Sequence, residues 1–396
     1  MMLKKLGLIV ICAAVIVGGT IVGLFLMGQR GGGRGLTLVY RQRLWLTTDA
    51  EGGGARPEIV FADNHFFVIY LGNVTTVGNR AFKLKVYDRE FNEIGSKTLV
   101  TSSPEYGGPT DIRVAVRDNY LYAAYEMAER NLGAHLFVAK YALTPDFPLI
   151  ASTIQPIATG PYYENAQIGD ETMDDPAPVV AGDSLYVMTK IRTAMLIEAQ
   201  TLYRLRKISK SDLSVVLTED LDLSSAIDGP AGVGSVLYVN GDFWLIESTM
   251  LVPPVPPQGS WENANSDIIL IKTDGNWQFD AARDIYTLSS TTEREHYPSG
   301  ARFANGKLYV VYVQFVREPV KKPSGPPKPV LIWLKVFDSN FQLVDGAQVA
   351  AGEDFGGNHP TVEVVENKIY VAYGAQNFDD GNRNVVVDIY ELVAKG

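Results

Sequence analysis

Two of the chain's four histidines fall just ahead of a proline, His296 in "EREHYPSG" (293–300) and His359 in "GGNHPTV" (356–362). Imidazoles in such a place can ligate a metal, move a proton or hold a ligand. The setting recurs: the residue directly before a strand-opening proline is in turn Arg56, Gly108, Asp175, Gly229, Tyr297 and His359. Zinc needs three or four converging His, Asp, Glu or Cys ligands, and this column supplies one Asp and one His. The acidic run "ENAQIGDETMDDP" (164–176) could attract calcium, but its spacing matches no EF-hand loop. No metal and no cofactor are therefore expected. Sugar cleavage needs two carboxyl groups flanking one bond. A second column, at the end of a recurring aromatic strand, reads Tyr70, Tyr125, Thr189, Glu247, Tyr312 and Tyr373, and so holds a single acid. No G-x-S-x-G elbow occurs, and the glycine run "EGGGARP" (51–57) lacks the lysine of a phosphate loop.

The elements that must carry these residues repeat. The strands "HFFVIY", "NYLYAAYEM", "DSLYVMTKI", "DFWLIE", "GKLYVVYVQF" and "NKIYVAYGA" place an aromatic at Phe67, Tyr122, Tyr186, Trp244, Tyr309 and Tyr370, spaced by 55 to 65 residues. Upstream of each lies a proline strand ("RPEIVF", "GPTDIRV", "DPAPVV", "GPAGVGSV", "YPSGARF", "HPTVEVV"). Between the two is a short turn rich in Gly, Asn and Asp, residues that tolerate positive φ. A third strand and a fourth follow. Four antiparallel strands repeated six times predict an all-β fold, a six-bladed β-propeller over 36–396. The sixth unit ends one strand short, and "LTLVYRQRLWLTT" (36–48) reads as the missing strand, so the N-terminal strand closes the last blade. Asp175 and His359 then belong to blades three and six, across the ring from each other, with Arg56 of blade one beside His359.

Architecture over 36–396 resembles the sialidase-like propeller superfamily, although the aspartate box of that family is absent and "TDGNW" (273–277) has different spacing. Sialidase-type enzymes use a tyrosine nucleophile, a glutamate partner and arginines. The resemblance implies Tyr373, Glu247 and Arg56 in those roles should the chain be a hydrolase, with Arg302 as a further arginine and no acid on blade one.

Ahead of the repeats, residues 1–27 contain Leu6–Met27, 22 residues without a charge, long enough as a helix to span about 33 Å at about 1.5 Å per residue. They are read as an uncleaved membrane anchor, with a cleaved signal or a short leader cut after Gly7 as the alternatives. Lys4 and Lys5 against Arg30 and Arg34 place the body outside the cytoplasm. The linker "GQRGGGRG" (28–35) joins anchor and body. Cys12, the one cysteine, lies in the anchor, which removes thiol chemistry from the body. The body keeps 31 of the 35 basic residues against all 45 acids, a balance that excludes nucleic acid as a partner.

Two proline-rich insertions, "LVPPVPPQGSWENANS" (251–266) and "REPVKKPSGPPKPV" (317–330), fall between strands two and three of blades four and five. Stiff segments lose little entropy on binding, so they are expected to wall one side of the channel mouth, with Trp261 exposed for contact. The expected function is a membrane-tethered module that binds a protein or glycan without catalysis through Arg56, Asp175, Trp261, His296, Tyr297 and His359. The alternatives are a sialidase-like or other glycoside hydrolase, and a subunit of a surface filament or envelope complex.

Overall fold

A computed structural model describes residues 35–48, 53–73, 80–129, 133–162, 165–167, 169–191, 202–223, 234–250, 266–290, 294–315, 330–351, 359–376 and 383–395. Leu36–Gly396 forms one compact unit. Among the described residues no helix is long and apolar enough to cross a membrane. The segment 6–27, residues 28–34 of the linker, and nearly all of both proline-rich insertions (Trp261 included) lie outside the described residues.

Six antiparallel blades follow one another, with blades four and five joined by one parallel pairing, Ser266↔Arg294. Their first strands are Gly54–Ala62, Gly108–Arg117, Glu171–Ala181, Ser235–Val239, Arg294–Ala304 and Thr361–Val365. Residues from or next to all six line one cavity of about 440 Å3, open to solvent, so these are the inner strands of a ring around a central channel. The hairpins to the second strands of blades one to five turn where the sequence has Asp, Asn or Gly: Asp63, Asn64, Asp118, Asn119, Gly182, Asn240, Gly241, Asn305 and Gly306 all have positive φ. Left-handed backbone is cheap for these types, which is why the turns stay tight.

A second repeated turn, between strands three and four, has its own chemistry. Oδ1 of Asp88, Asp274 and Asp338 each accepts two backbone N–H groups, those of residues two and four further on. The residue three after each aspartate, Phe91, Trp277 and Phe341, takes positive φ, an expensive conformation for an aromatic. Packing compensates: Trp277 stacks on Phe243 at 3.8 Å and Phe91 on Phe66 at 4.4 Å.

Burial confirms closure. Among the described residues six apolar clusters occur, each built from two consecutive blades, and one of them joins blade six to blade one through Leu46, Tyr370, Val385, Ile59 and Phe66. The last blade runs Thr361–Val365, Lys368–Gln376, Arg383–Ala394 and then Leu36–Trp45, which pairs antiparallel along the C-terminal strand from Leu36↔Ala394 to Trp45↔Val386. The predicted clasp is present. Asp388, fully buried, fixes it: its carboxylate accepts from Arg43 Nε (2.8 Å), Arg43 Nη2 (3.0 Å) and the Tyr373 hydroxyl (2.9 Å). Leu36 enters the ring at the end opposite to the one where the inner strands begin, since it pairs with the end of Arg383–Ala394 nearest the hairpin turn at Asn367.

Blade two departs from the pattern. Its outer edge is split into Leu149–Ser152 and Ala158–Gly160. Pro156 between them has no N–H to give the ladder. Beside it, Thr153 Oγ1 accepts from Val138 N–H (3.2 Å).

Candidate functional site

The end of the channel where the inner strands begin gathers charge. Among the described residues, inner strands carry a β-bulge there at Ala55/Glu58, Pro109/Asp111, Thr172/Ala177 and His296/Gly300. A bulge bends a strand and re-aims its side chains. Arg56 and Asp175 have φ of 49° and 52°, although each precedes a proline, which favours extended backbone. Such strain costs about 1–3 kcal/mol and persists only where surrounding contacts fix it.

Those contacts are ionic. Arg56 Nη1 donates to Asp111 Oδ2 (2.9 Å) and to the Thr110 carbonyl (2.9 Å), tying blade one to blade two. Asp111 also accepts from the Ile112 N–H (2.9 Å). Arg113, one step further along the same strand face, reaches four other blades. Its Nη1 donates to Glu58 Oε1 of blade one (3.3 Å) and the Ser299 carbonyl of blade five (3.2 Å). Its Nη2 meets His359 Nδ1 of blade six (2.6 Å) and lies 3.6 Å from Asp175 Oδ1 of blade three. His359 Nδ1 is also 3.2 Å from Asp175 Oδ1, but it cannot both accept from Arg113 and donate to Asp175. The shorter contact with a permanently charged donor assigns it a lone pair, leaving the imidazole neutral.

Asp175 and His359, expected across the ring from each other, are thus in contact. At the axis the channel is narrow enough for side chains of opposite blades to meet. Arg56, expected beside His359, pairs with Asp111, whose carboxylate lies within 4.8 Å of a His359 ring nitrogen. Arg56, Asp175 and His359 belong to one cluster; His296 and Tyr297 lie on the bulged start of blade five's inner strand, and their side chains are outside the description. Gly229 is also outside the described residues.

Three residues central to the cluster were missed by reading only the position before the proline: Glu58, Asp111 and Arg113. The signal was available, since in "GPTDIRV" Asp111 and Arg113 alternate and so share one face of the strand.

Burial sets the electrostatics. Asp111, Arg113 and His359 are 1%, 6% and 4% exposed. Burial pushes Glu58 up to about 7, even though Arg113 and Arg302 oppose the shift. Asp111 goes the other way: burial would raise it, but Arg56, an Asp175 hydrogen bond and Arg113 hold it well below the usual carboxylate range.

Donor atoms of Asp111, Asp175 and His359 lie within 4.8 Å of one another, a spacing a divalent ion could bridge. The donor set does not fit one. Arg56 already neutralises Asp111, and Arg113 occupies His359 Nδ1, so an added cation would stand beside two permanent positive charges.

Glu247 and Tyr373 do not join the mouth. Glu247 is fully buried at blade four, accepting from the Gly234 N–H (3.0 Å) near Tyr203 of blade three. Burial lifts its carboxyl to about 8 against the pull of that N–H, Lys190 and Tyr203. Tyr373 packs between blades five and six, and its phenol is raised well above the ordinary range by burial and by Asp388. The tyrosine-rich column is interblade packing, with Tyr70, Tyr125 and Tyr312 all buried. Ser289 accepts from Lys335 and lies 3.1 Å from the Tyr312 hydroxyl, a grouping that could suggest a Ser–Lys nucleophile. Lys335 stands three residues before its turn aspartate, as Lys85 does in blade one, and Lys85 braces the neighbouring blade through the Leu46 carbonyl (2.9 Å). The lysine is a repeated interblade brace.

No family model matches the chain, and no curated protein matches it. Among solved structures it is similar to the endosialidase of phage phi92, with a TM-score of 0.56 and 11% identity over 90% of this chain and 69% of that one. It is also similar to a member of the DUF4221 family from Bacteroides vulgatus, with a TM-score of 0.52 and 8% identity over 91% and 99%. A sialidase of Trypanosoma rangeli, solved with 2,3-difluorosialic acid, reaches 0.49 at 11% identity over 85% and 54%. At these identities the likeness is one of fold.

Proposed function

We propose that the chain is a non-catalytic binding module, held outside the cytoplasm by an anchor at Leu6–Met27, whose channel mouth and surrounding loops take a protein or glycan partner. The observation that carries this reading is the condition of the acids in the mouth. Glu58, Asp111 and Asp175 are each largely buried and each lies against a guanidinium, which supports a structural rather than an acid–base role for them. Arg56 is different: a third of its side chain is exposed, on strained backbone fixed by the network, which suits a preorganised contact. Trp261 and the proline-rich insertions belong to the same proposal as its wall. Binding of the full-length protein to arrayed glycans and peptides tests it, with Arg56→Ala expected to lose at least about tenfold in affinity, the scale of one charge-assisted hydrogen bond. Binding unchanged by that substitution would remove the mouth from the function.

One observation favours a second reading, a glycoside hydrolase. Asp111 and Asp175 offer carboxylate oxygens within 4.8 Å of each other, and Glu58 keeps its proton up to about 7. Closely placed acids with divergent proton affinities are what glycoside hydrolysis requires. Turnover of fluorogenic glycosides by the wild type, lost in Asp111→Asn, would replace the binding reading with this one.

A further inference from the structure

Arg113 divides its guanidinium between partners of unequal kind. Nη1 serves Glu58, whose contact is a long one at 3.3 Å, and Nη2 serves His359 and Asp175. Glu58 and Arg113 both line the channel cavity. We infer that Glu58 is a proton-operated clasp on Arg113: ionised, it holds the guanidinium toward blade one; protonated, it releases it to Asp175 and His359, and the mouth gains one positive charge.

The groups facing Glu58 leave it this role. From blade two come Arg113 and Asp111; from blade five comes Arg302, itself 3.4 Å from Glu363 of blade six. Asp175 and His359 act on it through Arg113, and Arg56, two residues along its own strand, is engaged by Asp111. Among the described residues, blade four contributes Gly234, Ser235, Val236 and Leu237 to the cavity wall, none of them charged. Burial outweighs both arginines and lifts the carboxyl to about 7, so the change of state falls near neutrality. Because this value lies above that of the unfolded chain, the group's contribution to stability is fully present below about pH 4.5 and is lost as pH rises through about 7. The clasp therefore opens on acidification without weakening the fold, and three partners of Arg113 remain. Any effect on a ligand rests on the proposed binding role; the clasp itself does not.

The test uses the full-length, ligand-free protein with 13C-labelled glutamate carboxyls, in a Glu247→Gln background because Glu247 is another glutamate held protonated, to about 8. One carboxyl signal should titrate with a midpoint between about 6 and 8 and vanish in Glu58→Gln, with the Arg113 Nε–H resonance moving at the same midpoint. If every glutamate titrates below about pH 5.5, or Arg113 does not respond, the clasp is overturned. Should Glu58→Gln not fold, the Arg113 resonance decides alone: a midpoint between about 6 and 8 upholds the clasp and a flat signal rejects it. Since no ligand is present, failure here leaves the binding role standing, and an inert glycan array leaves the clasp standing.

Discussion

Replacing Arg113 with methionine keeps most of the side-chain length and removes the charge on which the mouth depends. The guanidinium compensates Glu58 and Asp175, caps the Ser299 carbonyl and donates to His359. Removing one partner of a buried ionic group leaves the others uncompensated and costs about 3–5 kcal/mol. For a unit of roughly 360 residues, with an unfolding entropy of about 2 cal/mol/K per residue, this lowers Tm by roughly 4–7 °C. The cost should be largest at about pH 8, where Glu58 is ionised, and smaller at about pH 5.5, where it carries a proton. A double-mutant cycle isolates the reason. In a Glu58→Gln background one orphaned anion has gone, so Arg113→Met should cost at least about 1 kcal/mol less than in the wild type. Urea or thermal unfolding of the four proteins at both pH values gives the answer. A cost below about 1 kcal/mol, or one identical in the two backgrounds, would show that the axial charges are solvated bystanders and refute the reasoning.

Three further outcomes follow from separate parts of the fold. Glu247→Gln keeps an acceptor for the Gly234 N–H but cannot ionise. Because the native carboxyl sits at about 8 against an unfolded value of about 4.5, wild-type stability falls across that interval by up to roughly 5 kcal/mol. The variant should therefore be the more stable protein at about pH 9 and lose the advantage at about pH 4.5, as urea melts would show. Asp388→Asn leaves Arg43 and Tyr373 facing an amide in place of a carboxylate, at a cost of about 2–4 kcal/mol, and hydrogen exchange should accelerate first in Leu36–Trp45. Gly300→Ala would put a methyl 2.6 Å from Thr361 Cα and 2.8 Å from the Pro360 carbonyl, forcing blades five and six apart for about 1–3 kcal/mol, measurable as a lower Tm.

The fold was legible because it is written in period. Each blade repeats the same turn chemistry, and the chain's missing last strand has a matching segment at 36–48, so closure could be deduced without coordinates. The mouth was only half legible, for a geometric reason. Counting blades treats the ring as a polygon whose opposite corners are far apart, which separates Asp175 from His359. Inner strands, however, converge on an axis, and an arginine has several ångströms of reach. Arg113 uses that reach to meet blades one, three, five and six from blade two. Position along the strand mattered as much as blade number. The residue before each proline was a sound guide to the mouth at Arg56, Asp175 and His359, but bulges at Ala55/Glu58 and Pro109/Asp111 shift which of the next residues face inward. No periodic rule reports a bulge. The apolar wedges between blades are chemically alike, so a ring held by them alone would have little to fix how its blades meet at the centre. A single cation shared among unlike partners gives five of the six inner strands a distinct position at the axis, and the backbone strain at Arg56 and Asp175 is tolerated because the surrounding ionic network holds both residues in place.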